Sequence, residues 1–311
     1  MSPRKRLMAG VSLIELMVSL VIGSLLIIGA VTVYMQSRNT YRTNESAARL
    51  QETARYALDV IEPDVRMAGY WGLTNRPEYV ENRALPTETA QAVATGVTND
   101  CGTNWTVDAA HYLDGRDHDD TGYDLDCGGI DPAAGADILV VRRASSNTTV
   151  ATNNRFQIQS NRIRGVVFKN GVIPAGFPAA PASETHDLVV NAYYVSNPGG
   201  GARFSLRRQQ LSGNAVQDEE IIEGVQDLQV QFGVDTNGDN NADQYVNTNA
   251  VPAGAQIVSA RIWLMVAAPD IEAGFVDGTD YAYANAAPGT FSDSRRRLVV
   301  SKTIQIRNST L

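Results

Sequence analysis

Hydrophobic positions fall into three regimes along the chain. Residues 11–34, VSLIELMVSLVIGSLLIIGAVTVY, are apolar on every side, with Glu15 as their one charge. A helix of that length spans a hydrocarbon core of ~30 Å at ~1.5 Å per residue. From Ala47 the apolar residues recur at three- and four-residue steps through Leu50, Ala54, Ala57, Leu58, Ile61, Val65 and Ala68. Arg49, Glu52, Arg55, Asp59 and Glu62 fall largely on the other side, the pattern of an amphipathic helix. Gly69 is a C-terminal stop, and Pro63 predicts a kink or break near the end. The reading is an N-terminal helical region over 11–69, with 11–34 as its membrane or core part. A polar stretch from Ser37 to Asn44 leaves room for a link between two helices instead.

From about residue 135 the period shortens to alternation and short apolar runs. Strands are predicted over Asp137–Arg142, Arg162–Phe168, Asp187–Val195, Arg203–Gln209, Leu228–Gly233, Ile257–Val266 and Leu298–Ile306. Asn170–Gly171 reads as a tight hairpin turn, and Asn197–Pro198–Gly199–Gly200–Gly201 separates two strands that should pair antiparallel. Residues 219–230 could instead begin with a helical turn. No strand–helix–strand alternation is present. The fold class is therefore α+β: a long N-terminal helix packed on a mainly antiparallel sheet, with 70–311 as a β-rich globular domain. Residues 70–135, rich in Gly, Asn, Thr and Asp, read as an irregular insertion, and 269–294 as a second long loop with Tyr281 and Tyr283 near its middle.

Charge narrows the function. The chain carries a formal net charge of −8, a poor match for bare nucleic acid, and Arg295–Arg296–Arg297 is the one short basic run that could make a local exception. Arg4, Lys5 and Arg6 precede the apolar stretch and predict a cytoplasmic N-terminus with the body outside. The two cysteines, Cys101 and Cys127, are spaced wrongly for redox pairing and too few for a structural zinc site. Outside the cytoplasm a Cys101–Cys127 bridge is the default, with two free thiols as the alternative.

Candidate chemistry is sparse. In Asp235–Thr–Asn237–Gly–Asp239–Asn–Asn241–Ala–Asp243, oxygen side chains recur at every second residue, a spacing that can wrap Ca²⁺. The sixth loop position is Asn240 rather than glycine, and the twelfth is Val246 rather than a bidentate glutamate. A polar hairpin of Asx turns fits the same residues. The acidic cluster Asp114, Asp117, Asp119, Asp120, Asp124 and Asp126 reads as a solvated loop. His111, His118 and His186 have no ligand spacing. Ser183, His186 and Asp187 lie close in sequence, which is not how triads assemble. The residues make no enzymatic case.

The stretch Gly10–Val11–Ser12–Leu13–Ile14–Glu15 explains the charge inside the apolar run. It resembles the prepilin peptidase site of type IV pilins and pseudopilins: a short basic leader ending in glycine, cleavage before a retained apolar helix, and glutamate at the fifth mature position. A secretory signal peptide would have a shorter apolar region, and a plain membrane anchor gives Glu15 no role. The resemblance implies a leader over 1–10, cleavage after Gly10, N-methylation of Val11, and a Glu15 that sets filament register by pairing with a neighbour's N-terminal amine. Further on the chain resembles PilW-type minor pilins. The residues are Arg66–Met67–Ala68–Gly69–Tyr70, Ala136–Asp137–Ile138–Leu139–Val140–Val141, Glu223–Gly224–Val225–Gln226–Asp227–Leu228–Gln229–Val230, Arg295–Arg296–Arg297 and Ile306–Arg307–Asn308. This implies a subunit that helps initiate type IV pilus assembly within a minor-pilin tip complex of a Gram-negative bacterium. Its partners would be other minor pilins, the major pilin, prepilin peptidase and the inner-membrane assembly machinery. Twitching motility, cell adhesion and DNA uptake lie downstream. Two alternatives share the N-terminal physics: a type II secretion minor pseudopilin of the GspJ type, and a calcium-dependent tip adhesin.

Overall fold

The computed structural model describes residues 10, 12–74, 77–81, 105–117, 132–198 and 203–309. Among the described residues one α-helix, α1 (Leu13–Arg66), precedes fourteen strands. Contacts divide the chain into a unit up to Arg49 and a compact body from Leu50 onward. In the first unit the side chains of residues 13–35 are almost all exposed, and α1 is long and apolar enough there to cross a membrane. Pro63 does not break the helix, which continues to Arg66. The carbonyl of Pro63 accepts from the Met67 N–H at 3.1 Å, so the turn after the proline keeps its hydrogen bond.

In the body, β1 (Val80–Glu81), β2 (Leu113–Arg116), β3 (Ile138–Thr148), β4 (Asn153–Ser160), β5 (Gly165–Asn170), β6 (Glu184–Ser196), β7 (Ser205–Ser212) and β8 (Ala215–Glu223) form one sheet. Its order is β1-β5-β4-β6-β3-β2, with β7 and β8 joined to the far end of the long β6. The second sheet, in the order β10-β9-β11-β14, contains β9 (Val225–Asp235), β10 (Gln244–Asn247), β11 (Gln256–Ala267) and β14 (Arg297–Gln305). A small hairpin pairs β12 (Tyr281–Tyr283) with β13 (Ala286–Gly289). Every pairing is antiparallel except that of β1 with β5.

The core follows the side-chain periods. Leu50, Ala54, Ala57, Leu58, Ile61 and Val65 form the buried stripe of α1. They pack with alternate residues of β9 (Leu228, Val230, Phe232, Val234) and β11 (Ala260, Ile262, Leu264, Val266). Leu139, Val141, Tyr193 and Val195 of the first sheet join this cluster, whereas Ile138, Val140, Val190, Ala192 and Tyr194 face a second one with Trp71, Trp105 and Phe156. β3 and β6 are therefore covered on both faces, which is why they read as continuous apolar runs rather than alternating strands.

Several expectations change. Residues 219–230 are strand on both sides of Gly224, whose φ of +94° turns the chain from β8 into β9; there is no helical turn. Asn170–Gly171 ends β5 without making a hairpin: the Asn170 side chain accepts from the Val172 N–H at 3.0 Å, and β5 pairs with β4 and β1. The tight hairpin is instead at Gly213–Asn214, between β7 and β8, where Gly213 has φ +65°. Within the stretch read as an irregular insertion, β2 pairs with β3. Cys101 and Cys127 lie outside the described residues.

Candidate functional site

The apolar segment begins with a cap that its own sequence encodes. Ser12 precedes α1, and its carbonyl accepts the first helical bond from Leu16 at 3.1 Å. Its N–H donates to Glu15 Oε2 at 3.0 Å, while its Oγ accepts from the Glu15 N–H at 3.3 Å. This reciprocal capping box satisfies two N–H groups that a helix start would otherwise leave unpaired, and it places the one carboxylate at the positive end of the helix dipole. Gly10 is exposed just ahead of it, and Val11 lies outside the described residues. The pattern Ser-x-x-Glu before an apolar run is a legible helix start, and the prepilin reading of Glu15 passed over it.

In the body, one polar network fixes the helix to the first sheet. Asp64 lies on the buried stripe of α1 and is only 6% exposed. Its Oδ1 accepts from Arg143 Nε at 3.0 Å and Nη2 at 2.7 Å. Its Oδ2 accepts from the Tyr193 hydroxyl at 2.6 Å and from the Asn191 amide. A carboxylate removed from water is tolerated because both oxygens are paired, one with a guanidinium. Burial, followed by the adjacent Asp64 charge, pushes the Tyr193 phenol far above its ordinary value, so it remains a donor. Helical spacing gave a signal for this residue, since Asp64 is three residues after Ile61 and one before Val65. Two further contacts secure the same helix end: Lys302 on β14 pairs with Glu62, and the Arg307 N–H donates to the Arg66 carbonyl at 3.0 Å.

The three arginines read as a possible basic patch hold the 269–294 loop. Arg295 donates to the carbonyls of Ala268 and Pro269, and Arg296 pairs with Glu272 while lying 4.2 Å over the Phe275 ring. Arg297, its side chain 2% exposed, pairs with Asp277 at 3.0 Å and Asp293 at 2.7 Å and stacks on Phe291 at 3.7 Å. Hydrogen bonding to Arg297 lowers the Asp293 carboxyl to about 2. Burial opposes ionisation of Asp277, but Arg297 and the Thr279 N–H outweigh it and hold that carboxyl below its ordinary value. Tyr281 and Tyr283 turn inward, to Asp277 and Asp227 respectively. The loop is thus a pinned hairpin, and its arginines are committed to internal contacts.

The Asp235–Asp243 loop joins β9 to β10 as a set of Asx turns. Asp235 Oδ1 accepts from the N–H groups of Asn237 at 3.0 Å and Gly238 at 2.7 Å, and its Oδ2 accepts from Asn240 at 2.7 Å. Asn237 and Asp239 accept in the same way from Asp239 and Asn241. Asp243 accepts from the Thr236 N–H and hydroxyl and from the Asn237 amide. Burial would raise the Asp235 pKa, but the N–H groups of Gly238 and Asn240 hold it below the ordinary value. Asn240 adopts φ +63°, so asparagine fills the left-handed position where a calcium loop has glycine. These oxygens accept from the loop's own N–H, hydroxyl and amide donors. Among the described residues, no group of three His, Cys, Asp or Glu side chains is placed to hold a metal.

Ser183, His186 and Asp187 do not converge. Ser183 donates to the Pro178 carbonyl at 2.5 Å, the His186 Nδ1–H donates to the Ser145 carbonyl at 2.9 Å, and Asp187 accepts from Arg155 at 2.9 Å. His111 is held by Asp108 at 2.8 Å. Asp114 lies 3.8 Å from Arg142, and Asp117 accepts from Asn285 at 2.8 Å; His118, Asp119, Asp120, Asp124 and Asp126 lie outside the described residues.

Two family descriptions match the chain. Residues 5–31 match the prokaryotic N-terminal methylation motif, and residues 192–308 match the type IV pilus-assembly protein W. No curated protein matches it. Among solved structures, a type IV-like pilin from Thermus thermophilus is similar at 16% identity, covering 58% of this chain and 82% of its own, with a TM-score of 0.30. The methylation motif spans the capped helix start, and the pilus-assembly match runs from within β6 past the end of β14. At opposite ends of one chain, these two matches support its membership of the type IV minor pilin family.

Proposed function

We propose that the chain is a minor subunit of a type IV pilus that helps initiate assembly and sits in the minor-pilin complex at the tip. Prepilin peptidase removes residues 1–10, and the helix is retained as anchor and then as part of the filament core. Before assembly the chain crosses the inner membrane once, with its body in the periplasm. The role is structural rather than enzymatic.

The observation that carries this reading is the position of Glu15. It stands one turn into an otherwise apolar segment, five residues after Gly10, with its carboxylate at the helix start beside the Ser12 N–H. Cleavage after Gly10 would create an amine one residue before Ser12. A neighbour's amine reaching the same end of the helix would meet the carboxylate already oriented. In an apolar bundle an unpaired carboxylate is costly and a paired one is not, so the pair selects one axial register. The match to a pilus-assembly family favours a pilus over a secretion pseudopilus. The test is piliation in cells carrying Glu15→Ala: a processed, membrane-inserted chain missing from sheared pili supports the reading, and normal incorporation overturns it.

A further inference from the structure

Two long strands in the body have no strand on one side among the described residues: β8 in the first sheet and β14 in the second. An open strand edge offers unpaired N–H and C=O groups, and proteins usually blunt it. β8 is blunted. It carries Asp218, Glu219, Glu220 and Glu223, its pairing to β7 contains a register shift, and the first three of these acids are already paired with Arg207 and Arg208. β14, RLVVSKTIQ, has no acid, proline or glycine, and it pairs with β11 from Gln305 to Arg297 without a register shift.

Backbone parity shows which groups are offered. The Ala268 N–H donates to the Arg296 carbonyl, and the Ile306 N–H donates to the Val258 carbonyl. These positions flank β14 and are both even, so its even residues turn their backbone groups toward β11. Val299, Ser301, Thr303 and Gln305 therefore point theirs to the open side, and the last three are exposed. The same strand touches the helix end through Lys302 and Glu62, which places the open edge beside α1 within the body.

We propose that the β14 edge is a docking surface to which a different subunit of the pilus adds an antiparallel strand, uncharged or acidic in sequence. This rests on the reading of the chain as a pilus subunit. Charge argues for the partner's chemistry: the exposed Arg307 adjoins this edge, Lys302 on β14 is already paired with Glu62, and β14 itself carries no acid. The β8 edge of a second copy is irregular, and its Asp218, Glu219 and Glu220 are internally paired. Main-chain bonds along the strand would supply affinity, with side chains at alternate positions setting specificity.

The test places a photo-crosslinking phenylalanine analogue at Ser301 of the full-length chain in piliated cells. The expected product is an adduct with another pilus subunit, mapped by mass spectrometry to an extended strand. Adding Thr303→Pro, which removes an outward N–H and no backbone bond to β11, and with it only the exposed side-chain bond from Arg261 at 3.2 Å, should reduce the adduct at least tenfold with the thermal midpoint unchanged. If that midpoint falls, Ser301→Pro with the probe at Thr303, which likewise removes an outward N–H, should give the same loss. The proposal is overturned by an adduct with a second copy, by one undiminished in these variants, or by no adduct in chains recovered from sheared pili. Absence of the chain from pili at every probe position would instead remove the pilus-subunit reading, and this inference with it.

Discussion

Ser12 and Glu15 bond each other twice, each backbone N–H donating to the other's side chain. In the isolated chain, then, the residue expected to set filament register also caps the helix. The two jobs can be separated, because glutamine caps as glutamate does but carries no charge. Glu15→Gln should keep the helix start and still fail to enter pili. Ser12→Ala should cost about 1 kcal/mol of helix stability and leave incorporation largely intact. Quantifying each variant in sheared pili against its membrane level checks both, and full incorporation of Glu15→Gln would contradict the charge-pairing account.

Asp64 anchors the helix to the sheet, and removing it leaves the half-buried Arg143 and two neighbouring polar groups without their acceptor. Asp64→Ala should destabilise the body by about 3–5 kcal/mol, the range for breaking a buried pair from one side. A double-mutant cycle with Arg143→Met read by denaturant unfolding should show strong coupling; additive effects would show that the two residues do not act together.

Acid should loosen the 269–294 loop. Asp277 and Asp293 have folded pKa values below their ordinary ones, Asp293 at about 2. The unfolded chain therefore binds more protons in acid, and stability rises with pH across this range. The contribution is complete above about pH 4, the unfolded value, and is lost as pH falls toward about 2. Thermal midpoints measured across that window should fall less steeply in Asp293→Asn than in the parent. Equal slopes would mean that the Asp293–Arg297 pair contributes nothing.

The Asp235–Asp243 loop has its own donors for its carboxylates. Asp235→Ala should loosen the β9–β10 hairpin, whereas a chelator should leave the thermal midpoint of the parent unchanged. A midpoint that rises with added calcium would support the ion-binding reading instead.

Strong periodicity made the N-terminal helix and the strands β3, β6, β9, β11 and β14 legible in the sequence. Their apolar runs or alternations persist over most of their length because each is buried on one face or both. β4 and β8 were not legible. In NNRFQIQS and AVQDEEIIE the polar residues belong to cross-strand pairs and edge protection, which a search for apolar period cannot see. The Gly213–Asn214 turn was a readable signal left unused. Of the site, Gly10 and Glu15 stand out because a charge in an apolar run demands a reason. Asp64 sits in a stripe that otherwise reads as plain core, and its partners Arg143, Asn191 and Tyr193 are distant in sequence. Only the fold brings them together.

On this reading the mature chain begins at Val11 and keeps its apolar segment. The direct measurement is the intact mass and N-terminal peptide of the chain recovered from sheared pili. The account predicts a chain beginning at Val11, methylated on its amine, with residues 12–34 present. A chain beginning beyond Tyr34, its apolar segment discarded, would contradict it.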